Sequence, residues 1–217
     1  MGGVGHLRGD GADLVVTLTN TSSADTTKPV EVLTALFFDS SADLSGLSRL
    51  SAALAPGSSV ILDRDGQPSG GVVGGEWAWK MHGSSARPAY GISSTGLGLF
   101  GPGDLFPGAN LAGPESPGGV NYGIVSAGDD PTTGNGGIRN SGGLIKNAVV
   151  FRLGGLPGGF ALSQIDHVVF QYGTSLSEPS FEGRRPLTGV VLPEASCWQF
   201  AGFAGLGVLA LLRRRLA

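Results

Sequence analysis

Asp13-Leu-Val-Val-Thr-Leu-Thr-Asn20 is the stretch whose reading decides the fold. It is rich in β-branched residues and runs into Thr21-Ser22-Ser23, so it predicts a strand closed by a turn. The next candidate is Glu31–Phe38, where Val32-Leu-Thr-Ala-Leu-Phe-Phe38 is short, apolar and closed by Asp39-Ser-Ser41. That pattern fits a buried strand better than a helix. Ser48–Leu54 and Ser58–Leu62 flank Ala55-Pro56-Gly57 and predict a hairpin. Gly75–Met81 alternates around Trp77 and Trp79, and Val120–Val125, Asn147–Leu153 and Ile165–Tyr172 read as further strands. About seven or eight short strands without an amphipathic helix predict an all-β body, a two-sheet antiparallel β-sandwich of jelly-roll-like type.

Glycine sets the character of the loops. It supplies 39 of 217 residues, against about 7% in average proteins. Between Arg64 and Gly143 it recurs 22 times without a triplet period, which excludes a collagen-like chain. That region is predicted as long Gly-rich loops packed on the body and hiding short strands, because unstructured connections of such length are rare. Charged residues are 14%, below the typical value of about 25%, which suits a secreted or surface protein. Residues 1–194 carry a net charge of −6 and the last 23 residues +3. A mildly acidic body without a basic patch has no electrostatic footprint for nucleic acid. Cys197 is the single cysteine, so neither an intrachain disulfide nor a Cys-based zinc site is available.

The chain divides into a body over 1–177, a linker over 178–192 and a tail over 193–217. Within the tail, Ala195–Leu212 is uncharged throughout. Eighteen helical residues span about 27 Å, close to the thickness of a bilayer core, so the segment predicts one C-terminal transmembrane helix. Arg213-Arg214-Arg215 follows it and places the C-terminus on the cytoplasmic side. A buried core helix is the competing reading. Gly202, Gly205 and Gly207 would each cost such a helix about 1 kcal/mol, whereas glycine is common in membrane spans. The start, Met1-Gly-Gly-Val-Gly-His6, is not a secretory signal. Delivery to a surface therefore carries the expectation of an upstream in-frame segment that adds a signal peptide of about 20–30 residues, and with it a first β-strand.

Leu192-Pro193-Glu194, the apolar span and Arg213, Arg214 and Arg215 together resemble the sorting signal of exosortase-dependent surface proteins, the PEP-CTERM proteins. The usual tripeptide is Pro-Glu-Pro, and Ala195 stands in its third place here. The resemblance implies a Gram-negative bacterium and a partner: an exosortase-type membrane processing enzyme that recognises the Pro193-Glu194 region and removes or transfers the tail. It also implies the inner membrane as a transient location before the cell surface or extracellular space. The body resembles one of these exosortase-dependent families through Val73-Gly-Gly-Glu-Trp-Ala-Trp79, Gly91-Ile-Ser-Ser-Thr-Gly-Leu-Gly-Leu-Phe-Gly-Pro-Gly103 and Val169-Phe-Gln-Tyr-Gly-Thr174. No chemistry is carried over with it.

Few residues in the body are candidates for a site. Glu76, Trp77 and Trp79 could hold a sugar, an indole face stacking on the ring while the carboxylate accepts hydroxyl hydrogen bonds; the competing reading is that both indoles fill the core. Asp63-Arg-Asp-Gly66 and Asp129-Asp130 could offer oxygens to calcium, although neither completes an EF-hand loop and ordinary turn aspartates fit as well. Gly96-Leu-Gly-Leu-Phe-Gly101 matches a dinucleotide fingerprint but runs into Pro102-Gly103 where a helix should open. His6, His82 and His167 are too scattered for a metal cluster, and no serine stands in a nucleophile elbow. No cofactor is expected. The leading expectation is a non-enzymatic cell-surface or extracellular-matrix protein associated with exopolysaccharide or biofilm. A carbohydrate-binding surface module using Trp77, Trp79 and Glu76 is the first alternative, and a surface hydrolase, marked by Glu76 meeting another acid in a cleft, is the second.

Overall fold

A computed structural model describes residues 1–82, 88–108 and 119–183 and the backbone of 190–191. The described residues are mostly β, in two sheets. In chain order the strands are β1 (Gly3–Asp10), β2 (Asp13–Asn20), β3 (Leu33–Ser40), β4 (Ser48–Leu54), β5 (Ser59–Ile61), β6 (Ala78–Met81) and β7 (Tyr90–Ser93). They continue as β8 (Ile124–Val125), β9 (Leu144–Lys146), β10 (Ala148–Gly154), β11 (Ile165–Tyr172), β12 (Ser180–Glu182) and β13 (Val190–Val191), with one helical turn, α1 (Gly136–Arg139), before β9.

The period-two pattern of Asp13–Asn20 places Leu14, Val16 and Leu18 in the main core, fully buried. β2 sits in the middle of a five-stranded sheet of order β13-β1-β2-β10-β4. In the second sheet, β12-β11-β3-β8-β9-β5, β3 is the organising strand. β11 pairs along one of its edges, while its other edge divides: Ala35–Phe38 pair with β7, and Leu33 with Ile124 of β8. β6 then pairs with β7. Both faces of β3 are covered, as its apolar run predicts. Leu36 and Phe38 enter the main core, and Ala35 and Phe37 enter a second cluster with Ala78, Leu97, Phe100 and Val169.

The main core takes side chains from both sheets, so burial of apolar area holds the two together. Trp77 meets Phe151 of β10 edge-on at 4.9 Å, and Trp79 stacks on Tyr90 at 5.8 Å.

Several expectations need correction. Ser48–Leu54 and Ser58–Leu62 do not form a hairpin: β4 pairs with β10 in one sheet and β5 with β9 in the other. Ala55-Pro56-Gly57 turns the chain between sheets instead, with the Ala55 N–H donating to Ala148 O at 3.1 Å. The pairing is antiparallel except between β8 and β9, which run parallel. Gly74–Glu76 forms a 3₁₀ turn, so the strand expected over Gly75–Met81 starts only at Ala78. Val120–Val125 contributes only Ile124–Val125.

The glycine-rich region does hide a strand that the sequence did not show, β7. Gly3–Asp10 forms a strand that the sequence reading did not identify, hydrogen-bonded to β2 along its whole length. The stretch read as a linker from 178 to 192 holds β12 and β13, which pair with β11 and β1. Among the described residues no helix is long and apolar enough to cross a membrane. The expected span, Ala195–Leu212, lies outside them, as do Leu192, Pro193, Glu194, Cys197, Arg213, Arg214 and Arg215.

Candidate functional site: a polar cleft between the β5 turn and α1

Two of the nominated features meet. The Asp63-Arg64-Asp65 turn after β5 and Glu76 at the end of its 3₁₀ turn line a single cleft of about 300 Å³. Asn121 and Tyr122, ahead of β8, and Arg139, Asn140 and Gly142, at and beyond the end of α1, complete the wall. Four sequence-distant loops thus converge there, which is where binding groups on β scaffolds usually stand.

Local geometry holds the wall in place. The Tyr122 hydroxyl donates to the Asp63 carboxylate, whose other oxygen accepts from the Asp65 N–H at 2.8 Å. Burial first, then the bond to Asp63, pushes the Tyr122 hydroxyl far above its ordinary range, so it remains a neutral donor. Leu62 and Tyr122 adopt left-handed backbone at φ 62° and φ 53°. For bulky residues this conformation is uncommon and costs of order 1–3 kcal/mol, and it persists only where surrounding contacts impose it. The Tyr122 N–H meets one of those contacts, Gly143 O, at 2.8 Å.

Glu76 is 2% exposed, while Asp65 and Arg139 stand in solvent. Among the described residues, Asp65, Asn121 and Arg139 make no side-chain hydrogen bond. Asn140 is engaged, its Nδ2 donating to Gly136 O at 2.9 Å.

The other nominated residues fall elsewhere. Trp77 and Trp79 are 0% and 4% exposed in the main core, so neither offers an indole face to a sugar ring. That corrects the stacking arrangement proposed with Glu76. Asp129 is buried beneath the loop that follows β2, accepting from the Thr26 N–H at 2.6 Å, and Lys146 Nζ donates to its carbonyl at 2.7 Å. Asp130 caps a turn by accepting from the Thr132 N–H at 2.9 Å. Among the described residues no group of three or more His, Cys, Asp or Glu is placed to hold a metal ion.

Gly96–Gly101 forms a turn whose Leu97 and Phe100 pack on Phe37, followed by a three-residue 3₁₀ turn, so the context of a dinucleotide site is missing. His6 is exposed on β1. His82 is buried against Phe37 and Phe100. His167 lies at a bulge in β11, with Nδ1 3.0 Å from Asp39 Oδ2 and Nε2 3.6 Å from Glu182 Oε1.

Asn121, Tyr122, Arg139 and Asn140 carried no sequence signal. Tyr122 read as a strand residue, and only its left-handed turn brings it to Asp63. No protein family, curated protein or solved structure matches the chain.

Proposed function

We propose that this is an exosortase-sorted, non-enzymatic protein of the bacterial surface or extracellular matrix, associated with exopolysaccharide. In this reading the β body is a two-sheet sandwich on the outer side of the membrane, and Ala195–Leu212 spans the bilayer until the tail is removed. The single observation that carries it is the order Pro193-Glu194, eighteen uncharged residues, then Arg213-Arg214-Arg215 at the terminus.

Supporting it, the body pairs Val190–Val191 with β1 at a sheet edge, one residue before Leu192-Pro193-Glu194 in the sequence.

The test follows the mass of a tagged body in strains with and without the exosortase. Tail loss that depends on the enzyme, and that disappears when Pro193→Ala and Glu194→Ala are combined, is the expected result. Equal tail loss in the double variant would assign the cleavage to another protease. Gly205→Arg separates insertion from recognition: a charge at the centre of the span costs about 2.5–3.5 kcal/mol on insertion scales, so membrane integration and processing should fail together.

One observation favours a second reading as a surface hydrolase: Glu76 shares its cleft with Asp63 and Asp65. Release of reducing ends from an exopolysaccharide by the wild type, and its loss in Glu76→Gln, would establish it.

A further inference from the structure

We propose that Asp130-Pro131, in the loop between β8 and β9, is a self-cleavage site: the Asp130 carboxylate attacks its own carbonyl carbon and expels Pro131. The inference stands on that loop and depends neither on the cleft nor on how the tail is processed.

Asp130-Pro131 is the single Asp-Pro bond in the chain, and the turn around it supplies the groups that the step needs. The Thr132 N–H donates to Asp130 Oδ1 at 2.9 Å and holds the carboxylate over the turn. The carbonyl oxygen of Asp130 accepts twice from Thr133, from the N–H at 3.1 Å and from the hydroxyl at 2.9 Å. Two donors on one carbonyl oxygen polarise it and stabilise the negative charge that a tetrahedral adduct places there. The Asp130 N–H donates to Asp25 Oδ1 at 3.0 Å and so ties the turn to the loop after β2. Because nucleophile and carbonyl belong to one residue, the attack is intramolecular and closes a five-membered ring, an arrangement of high effective concentration.

The atoms balance. A C–O bond forms between the Asp130 carboxylate and its own carbonyl carbon, and the C–N bond to Pro131 breaks. The ring nitrogen takes a proton from water or hydronium and leaves as a secondary amine. One water then opens the cyclic anhydride, so the sum is hydrolysis of one peptide bond. Hydrogen bonds from Thr132 hold the Asp130 carboxyl below its ordinary 3.8, so it stays an ionised nucleophile while rising acidity protonates the leaving nitrogen. The other charged groups at the turn are Asp25, the buried Asp129 and Lys146, whose Nζ is held on Asp129 O at 2.7 Å. After the cut the body stays assembled, because β10 lies between β2 and β4, and β11 pairs with β3.

The experiment incubates the full chain in a zwitterionic detergent at about pH 5, folded and in urea, and follows fragments 1–130 and 131–217 by mass. The folded chain should be cut between Asp130 and Pro131 about tenfold faster than the unfolded chain, and faster still at about pH 4. Thr133→Val, which removes the hydroxyl donor and keeps the N–H, should slow the folded reaction about tenfold and leave the unfolded rate unchanged. Asp130→Ala and Pro131→Ala should each abolish the cut. Asp130 and Thr133 are exposed, and an unchanged thermal midpoint verifies that each variant is folded. No cut in the folded chain, a folded rate no faster than the unfolded one, or an equal folded rate in Thr133→Val would each overturn the proposal.

Discussion

His82 combines burial with a missing partner. It is 8% exposed, its ring meets Phe100 edge-on at 5.0 Å, and its Nε2 has no hydrogen-bond partner among the described residues. Burial first, then the charge of Lys80, holds its pKa below the ordinary 6.5, with Asp104 opposing. The folded protein therefore keeps the neutral ring, whereas the unfolded chain takes up a proton below about pH 6.5. Stability should be unaffected by this group above that pH, fall as the pH drops from there towards the lower folded value, and level off below it. Urea midpoints compared between about pH 7.5 and 5.5 should decrease more in the wild type than in His82→Leu. Glu31 acts in a lower window: burial opposes the shift, but hydrogen bonds from Thr27 and Lys28 take its carboxyl below 4.5.

Gly74 is limiting for a steric reason. A Cβ there would lie 1.8 Å from Pro107 O, a backbone atom that no side-chain rotation can remove. Gly74→Ala should cost about 3 kcal/mol, the upper part of the range for overpacking, read as a lower urea midpoint.

Among the elements, the turn between β11 and β12 depends on one side chain. Gln171 is fully buried, and its Nε2 faces the carbonyl oxygens of Tyr172, Ser175, Glu178 and Pro179 at 2.9, 3.1, 3.1 and 3.2 Å. Glu178 in turn accepts from the N–H groups of Thr174 and Ser175. Gln171→Leu would take this donor from Tyr172 O and Glu178 O, while Ser175 O and Pro179 O still accept from the N–H groups of Glu178 and Tyr172, so a loss of about 1–3 kcal/mol is expected. Amide exchange should accelerate first in residues 173–182, ahead of β2 and β10. Nothing in Val169-Phe-Gln-Tyr-Gly-Thr174 announces this role, because the acceptors are set by how the turn closes. The hairpin expected around Ala55-Pro56-Gly57 failed for a related reason. A turn signal states that the chain reverses, but the partner of each flanking strand depends on which sheet edge is free.

For the whole molecule, the first and last described strands meet: Val4 pairs with Val191 and Gly5 with Val190. β13 thereby covers the outer edge of β1, and an uncovered edge is a template for pairing between chains. A chain ended after Val191 should stay monodisperse at concentrations where one ended after Gly183 aggregates, measured by light scattering. Equal behaviour would show that β13 is not needed to protect that edge. What the sequence determined alone is local: the bounds of β2, β4 and β11, the burial of both faces of β3, and the turn at Ala55-Pro56-Gly57; β3 itself runs on through Asp39 and Ser40, where the sequence reading ended it. Periodicity and backbone preference act over a few residues and are written wherever those residues stand. Tertiary structure decided the rest. It assigned β4 and β5 to different sheets, turned both indoles inward, and brought Asp63, Glu76, Tyr122 and Arg139 to one cleft. These outcomes depend on loop closure between distant segments and on competition for a shared core, and neither leaves a pattern in any single stretch of the chain.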